Sequence, residues 1–425
     1  MSNFNEFQRA AKAAIRVALQ WFFLAIPTGL ACGLVGTLFH LSVERVTELR
    51  AGQPWLLFLL PAAGLLITAL YKVTKCEGVG TNNVIRAVQS GEPVSILLVP
   101  AIFLGTVLTH LCGGSAGREG AALQMGGSIG WNVGALLQLK DHDRRTATIC
   151  GMAAFFSALF GTPLTAALFA MMVEDVGLTF TSAFVPAFTS ALIAYGCSLA
   201  FDIAPTHFAL TAPELTVWNA FLVILLGLAC AAVSRLFCGL LHFMEHKVPQ
   251  LLPNPWLRVF VGGAAVIAFS YLFGVGRYNG AGMGVITAAV EQGEALPWDF
   301  LCKIFLTALT LSCGFKGGEV VPSFFVGATF GCVFGPLLGL PAGFAAAVGL
   351  ISVFCGATNA LIPSILLGFE LFSGAGLELI ALGCGICYML SGHHGLYNSQ
   401  TFVTNKLRPE YMSHKLRHKV KKQEE

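Results

Sequence analysis

Apolar segments follow one another along almost the whole chain, from residue 17 to residue 391. Of its 425 residues, 56% are hydrophobic and 11% are charged, whereas a typical soluble domain carries about 25% charge. The 48 glycines suit helices that pack closely in a bilayer. The sequence therefore predicts an all-helical polytopic membrane protein, with the lipid bilayer as a partner and no nucleic-acid binding.

Several of these segments are too short to cross a hydrocarbon core of about 30 Å, which needs about 20 helical residues. Glycine and proline interrupt them, as at 78–80, 161–163, 274–276 and 317–318. Helices that break near mid-membrane are typical of transporters whose binding site is built from helix ends. The pattern therefore predicts broken helices that meet around a central site.

The two halves of the chain repeat each other at a spacing of about 200 residues, which indicates an internal duplication. If each half has an odd number of spans, the repeats are inverted and their corresponding helix ends meet. The matched pairs keep their order: 78–80 with 274–276, 103–109 with 305–311, 117–119 with 317–319, Gly126 with Gly327, Gly130 with Gly331, and Pro163 with Pro363.

Five parts follow from this duplication. They are an N-terminal amphipathic segment (1–16), a first membrane repeat (17–201), a polar linker (202–214), a second membrane repeat (215–403) and a basic tail (404–425). Lysine and arginine concentrate near both ends of the chain, and such residues favour the cytoplasmic side of a membrane. We therefore expect both termini to be cytoplasmic.

A charged pair, Arg118-Glu119, lies inside the glycine-rich stretch 113–130. An ionised side chain at the bilayer centre costs roughly 2.5–3.5 kcal/mol, so a pair retained there indicates a function. Glycines let backbone N–H groups converge at the start of a helix, which favours anion binding. A carboxylate beside such a site can compete with the anion when ionised and yield when protonated.

The second repeat carries Glu319 where the first carries Glu119, and we predict that both are gating or proton-transfer residues. Burial disfavours an ionised carboxylate whereas nearby N–H groups favour it, so either group can bind and release protons. Purely structural roles remain alternatives. Glu119 could pair with Arg118, and Glu319 could stabilise the N-terminus of a helix.

Other function classes have weaker support. The chain has no P-loop motif for ATP. An Arg-Glu-Gly motif also occurs in iron permeases, but there a second glutamate follows that is absent here. The adjacent His393 and His394 point to different faces of a helix, and the Cys384-x-x-Cys387 motif lies in an apolar helix. We therefore expect no catalytic residues, metal or cofactor, and keep a metal permease or an intramembrane enzyme as a remote alternative.

Taken together, the segments 78–80, 117–120 and 317–322 with Tyr397 resemble the CLC family of chloride channels and anion/proton antiporters, over about residues 60–400. The resemblance implies two inverted repeats, a homodimer in many members, and Glu119 as the external gate and proton carrier. It places the anion-binding groups at Val79, Gly80, Gly120, Val320, Val321 and Tyr397.

The stretches 113–120, 314–320 and 391–395 look most like the bacterial fluoride/proton antiporter branch. In that branch a methionine typically stands at position 79 and a threonine at position 321. Both positions are valine here, so only backbone N–H groups are left to hold an ion. The proton glutamate of chloride antiporters is expected near residue 172 or 173 and is read as absent, with Glu174 and Asp175 left open.

These observations predict a halide/proton antiporter in a bacterial inner membrane, moving fluoride ahead of chloride. A passive CLC-type chloride channel on the same scaffold is the alternative. Proton movement coupled to anion flux distinguishes the two.

Overall fold

The computed structural model describes residues 2–177, 181–408, 410 and 412. A 3₁₀ turn precedes the second helix, and a π-helical turn (Ala288–Gln292) follows the eleventh. In chain order the helices are α1 (Ser2–Gly52), α2 (Leu60–Val73), α3 (Thr81–Ser90), α4 (Leu98–Leu111), α5 (Glu119–Leu136), α6 (Asp141–Phe160), α7 (Pro163–Met172), α8 (Phe184–Ala200), α9 (Val217–Leu251), α10 (Pro255–Phe273), α11 (Met283–Thr287), α12 (Asp299–Ser312), α13 (Val320–Leu338), α14 (Ala342–Thr358), α15 (Leu361–Phe372) and α16 (Leu377–Leu390).

Within the described residues, each half of the chain has eight helices, α1–α8 and α9–α16, and those at the same position in each half correspond. For example, α4 and α12 have 14 residues each. The halves exchange equivalent contacts. The backbone N–H of Ser115 donates to Thr310 Oγ1 (3.1 Å), and that of Lys316 donates to Thr109 Oγ1 (3.2 Å). Such reciprocity is what a two-fold relation between inverted repeats produces, in agreement with the predicted duplication.

The predicted division into five parts is not resolved by the helices. Helix α1 runs through the boundary at residue 16 without a break, and most of the basic tail 404–425 lies outside the described residues. The polar linker falls between α8 and α9, where no helix or strand forms. The five boundaries therefore stay predictions.

Close glycine contacts hold each helix pair at the centre together. A Cβ atom on Gly126 of α5 would overlap the backbone carbonyl of Gly151 on α6. A Cβ atom on Gly327 of α13 would likewise overlap the carbonyl of Gly349 on α14. The predicted correspondence of Gly126 with Gly327 therefore reflects the same helix crossing in both halves.

Six helices are long and apolar enough to cross a membrane, judged by length and composition within the described residues. Several others are shorter, which matches the interrupted sequence pattern. Between α6 and α7, Gly161 takes a left-handed conformation (φ 70°) and Pro163 begins the next helix. The long spans are Leu19–Gly52, Pro54–Val73, Thr181–Ala200, Val217–Leu251, Pro255–Phe273 and Val320–Leu338.

Two short parallel strands, β1 (Asp175–Val176) and β2 (Thr401–Phe402), fasten the C-terminal segment to the first half. The Gln400 side chain also donates to the carbonyl groups of Val173 (2.9 Å) and Thr358 (2.8 Å). These contacts fix the segment that contains Tyr397.

Candidate functional site

Glu119 is the first residue of α5, and only 1% of its surface is exposed. Its Oε2 accepts the backbone N–H of Arg118 (2.9 Å), and its Oε1 lies 3.5 Å from Arg118 Nε. A Cβ atom on Gly117 would lie 2.7 Å from the same Oε2. The carboxylate therefore folds back over the glycine turn, at the helix start where the sequence predicted an anion.

The starts of α5 and α13 are joined by an antiparallel bridge. Gly117 donates to the Gly318 carbonyl (2.6 Å), and Gly318 donates to the Gly117 carbonyl (2.8 Å). A Cβ atom on Gly318 would overlap the Gly120 nitrogen. The two helix N-termini, far apart in sequence, thus meet at one point.

Glu319 is the residue that precedes α13, and its side chain does not cap that helix. A Cβ atom on Gly120 would lie 3.3 Å from Glu319 Oε2, so this carboxylate lies beside the start of α5. Val320 and Val321 are buried in the first turn of α13, where N–H groups have no intrahelical acceptor. The structure therefore brings both predicted glutamates and the predicted valine N–H donors together.

Tyr397 is 3% exposed, and its hydroxyl has no hydrogen-bond partner among the described residues. Burial first, and then the nearby Glu319 and Glu119, raise the pKa of this hydroxyl, so it keeps its hydrogen. A buried hydroxyl without a partner normally costs about 1–3 kcal/mol. The hydroxyl is therefore an unpaired buried donor among the described residues, and its role in anion binding stays a prediction.

Val79 and Gly80 lie before α3, and their backbone N–H groups are already used. Val79 donates to the Cys76 carbonyl (3.1 Å), and Gly80 donates to Asn83 Oδ1 (3.1 Å). In this conformation neither group can donate to an anion. Their role in anion binding stays a prediction that needs a rearrangement at the start of α3.

A cavity of about 490 Å³ opens above Glu119, and we call it the vestibule. Glu119 and Val321 both line it, so the gate and one predicted donor face the same space. Its other ionisable lining residues are His40, Glu44, Glu48, Arg50, His110, Arg118 and Arg277. The vestibule therefore brings ionisable side chains of both signs to the same space as the Glu119 carboxylate.

Comparison with known families gives this geometry a name. A family model described as the voltage gated chloride channel matches residues 63–392. The chain belongs to the voltage gated chloride channel (CLC) family. The resemblance drawn from the sequence is confirmed, and so is the predicted all-helical CLC fold.

Individual relatives refine the comparison. This CLC protein is 34% identical to a chloride/fluoride channel protein of Pseudomonas syringae pv. tomato, over 90% of this chain and 86% of the relative. It is 26% identical to the H(+)/Cl(-) exchange transporter ClcA of Vibrio cholerae, over 78% of this chain and 75% of the relative. The crystal structure of a CLC-type fluoride/proton antiporter superposes with a TM-score of 0.87 at 33% identity, covering 91% of this chain and 98% of that one.

A buried ionic group beside the vestibule of this CLC protein was missed by the sequence analysis. Asp299 is fully buried and accepts from Arg277 Nε (2.8 Å) and Tyr278 OH (2.7 Å). Lys303, also fully buried, donates to the carbonyl groups of Tyr278 (3.0 Å) and Gly280 (2.6 Å). A lysine inside the apolar segment 299–313 was the available signal.

Two more acidic groups have distinct roles. Glu370 accepts the backbone N–H groups of Leu164 (3.2 Å) and Thr165 (3.0 Å), so it caps α7. Glu174, between α7 and β1, lines a cavity of about 200 Å³ with Asp175 and Arg145. Burial and the neighbouring Asp175 raise the pKa of Glu174 to about 8, although Arg145 acts in the opposite direction.

The histidine pair considered for metal binding lies near the C-terminal segment. The His393 ring packs edge-on against Phe402, with ring centres 5.1 Å apart. Within residues 2–177, 181–408, 410 and 412, no three His, Cys, Asp or Glu side chains are grouped so that they could hold a metal ion.

Proposed function

We propose that the chain exchanges a halide for protons across a membrane, with fluoride preferred to chloride and Glu119 as the gate. The observation that carries the proposal is the position of the Glu119 carboxylate. It occupies the start of α5, where an anion would be stabilised, and it faces the vestibule. In the ionised form it competes with the halide for this position, and in the protonated form it yields.

The arrangement around the gate supports a second proton group and a separate set of anion donors. Glu319 lies beside Gly120 at the bridge between the two helix starts, so it can assist proton transfer near the centre. The N–H groups of Val320 and Val321 and the Tyr397 hydroxyl are the donors that we assign to the halide.

Fluoride holds its hydration water more strongly than chloride, so a fluoride site must supply strong donors. Two similar proteins support fluoride: a chloride/fluoride channel protein at 34% identity and a CLC-type fluoride/proton antiporter at 33% identity. Because positions 79 and 321 are valines, neither side chain can hold a halide by a hydrogen bond, and we propose that the backbone N–H groups at the start of α13 and the Tyr397 hydroxyl do so.

The test is halide efflux from proteoliposomes, with fluoride, chloride and pH electrodes in one vessel. We expect fluoride efflux with proton uptake in the unmodified protein and loss of proton uptake in Glu119→Gln. Glu92→Gln is the control, because the Glu92 side chain is exposed and does not line the vestibule. Proton pumping by Glu119→Gln on a fluoride gradient would refute the gate assignment.

A passive channel on the same scaffold is the second candidate, because the Pseudomonas syringae relative is a chloride/fluoride channel protein. It predicts anion efflux without stoichiometric proton movement in the unmodified protein. Chloride efflux as large as fluoride efflux would instead overturn the fluoride preference alone.

We also propose a bacterial inner-membrane location with both termini cytoplasmic, because basic residues concentrate near both ends. A homodimer with one pathway in each subunit is the assembly that the family resemblance implies. Cysteine labelling at each terminus and cross-linking in native membranes check these two points.

A further inference from the structure

Two buried histidines line the vestibule, and the gate mechanism above uses neither. His110, near the end of α4, is 1% exposed, and His40 on α1 is 8% exposed. Each has one ring nitrogen that is buried without a hydrogen-bond partner among the described residues, Nε2 in His110 and Nδ1 in His40. Both side chains share their cavity with Glu119.

The hydrogen bond on the other side of the His110 ring fixes its tautomer. Nδ1 lies 2.9 Å from the Thr106 carbonyl oxygen. Because a carbonyl only accepts, Nδ1 must carry the hydrogen. In the neutral ring, Nε2 then presents a lone pair, so it can receive a proton but cannot donate to a halide.

The outer end of the vestibule offers a way to solvent. His40 Nε2 lies 3.8 Å from Glu44 Oε2, and the Glu44 side chain is 57% exposed. A cavity of about 490 Å³ is large enough for several water molecules between these groups. The lining therefore provides proton acceptors at its buried end and at its exposed end.

We propose that His110 relays protons between Glu119 and the outer solution, with His40 and Glu44 at the exposed end of the route. The inference rests on the proposed antiport function. The protonated Glu119 carboxyl gives its proton to His110 Nε2 through water in the vestibule, which leaves a carboxylate and an imidazolium. The imidazolium then releases the proton through water to His40, Glu44 or the solution, and the sequence runs backwards for uptake.

The charges around His110 favour release of the proton from its protonated ring. Cationic groups come from two directions: Arg50 on α1, whose Nη1 donates to the His110 carbonyl (2.9 Å), and Arg118 before α5. Like charges repel a protonated ring. The other ionisable groups facing the cavity are His40, Glu44, Glu48, Glu119 and Arg277.

The variant His110→Gln tests the relay. Glutamine can still donate to the Thr106 carbonyl and can still accept in the vestibule, but it does not titrate. General acid–base transfer contributes about 10²–10⁴-fold. Because water offers a parallel route, we expect proton-coupled fluoride flux to fall by about tenfold or more, with fluoride affinity by titration calorimetry unchanged.

Imidazole in the assay buffer separates a relay from a packing effect. If His110 carries protons, free imidazole entering the vestibule should restore a large part of the flux of His110→Gln. His207→Gln is the matched control, because that exposed histidine bonds Ser373 Oγ and does not line the vestibule. Its flux should equal that of the unmodified protein, with or without imidazole.

Three results would overturn the relay: an undiminished coupled flux in His110→Gln, a loss that imidazole does not restore, or a loss accompanied by weaker fluoride binding. Failure of the antiport function itself has a different signature. In that case the unmodified protein would move fluoride without protons.

Discussion

The starts of α5 and α13 have the same backbone arrangement but different side chains. Gly117 and Gly318 bridge them symmetrically, and each preceding loop bonds a threonine of the opposite half. In the first repeat the glutamate follows an arginine, and in the second it follows a glycine. The two helix starts therefore differ chiefly in one cationic side chain, that of Arg118, which has no counterpart in the second repeat.

That cation changes how each carboxylate is held. Glu119 is bound by the Arg118 guanidinium and by its backbone N–H. Glu319 makes no capping hydrogen bond and lies against Gly120. The duplicated helix starts therefore hold one carboxylate folded back over its own glycine turn and a second carboxylate that leaves its own helix uncapped and lies against the opposite helix start.

The largest effect should come from Tyr397→Phe. This variant tests whether the halide binds at the start of α13 rather than at the start of α5. A hydrogen bond to a charged group contributes about 1.5–3 kcal/mol, so we expect fluoride affinity to fall by about 10- to 100-fold. Titration calorimetry with fluoride measures it. Tyr271→Phe, at an exposed site on α10, is the control. Unchanged affinity in Tyr397→Phe would move the anion away from α13.

The symmetry of the two loops can be tested with Thr109→Val and Thr310→Val. Thr109→Val leaves the partly buried N–H of Lys316 without its acceptor, and Thr310→Val does the same to the buried N–H of Ser115. An unsatisfied buried group costs about 1–3 kcal/mol, so both variants should lose similar stability.

Thermal unfolding in detergent compares the two threonine variants directly. A loss confined to one variant would show that the two loops are not energetically equivalent. The two helix starts would then differ in the stability of their loops as well as in the arginine that the second repeat lacks.

A smaller effect distinguishes α7 from α15, the equivalent helix of the second repeat. Within the described residues, only α7 is followed by a buried acidic residue, Glu174. The pKa of Glu174 is raised from 4.5 to about 8. The folded state therefore holds a proton that the unfolded state has lost, and stability falls as the pH rises from about 4.5 to 8. The slope is at most about 1.4 kcal/mol per pH unit.

Glu174→Gln should remove this part of the pH dependence. Its unfolding temperature in detergent should fall less between pH 5 and pH 8 than that of the unmodified protein, whereas the exposed control Glu92→Gln should behave like the unmodified protein. An equal fall in Glu174→Gln would mean that the carboxyl ionises normally in the folded state.

The sequence by itself determined the class of protein, the duplication and the two central glutamates. These features are local or periodic: a lack of charge, a spacing of about 200 residues and glycine-rich turns beside charged residues. A charge in an apolar segment is costly wherever the chain folds, so Arg118, Glu119 and Glu319 could be identified without coordinates.

Only the tertiary structure decided which groups are free and which are paired. Val79 and Gly80 were predicted as donors, but their N–H groups bond neighbouring protein atoms. The Tyr397 hydroxyl was predicted from a resemblance alone, and its freedom from partners emerged from packing. Whether a buried polar group has a partner depends on residues hundreds of positions away, as between Gly117 and Gly318. Neither spacing nor periodicity records such contacts, because they are fixed only when the two halves pack together.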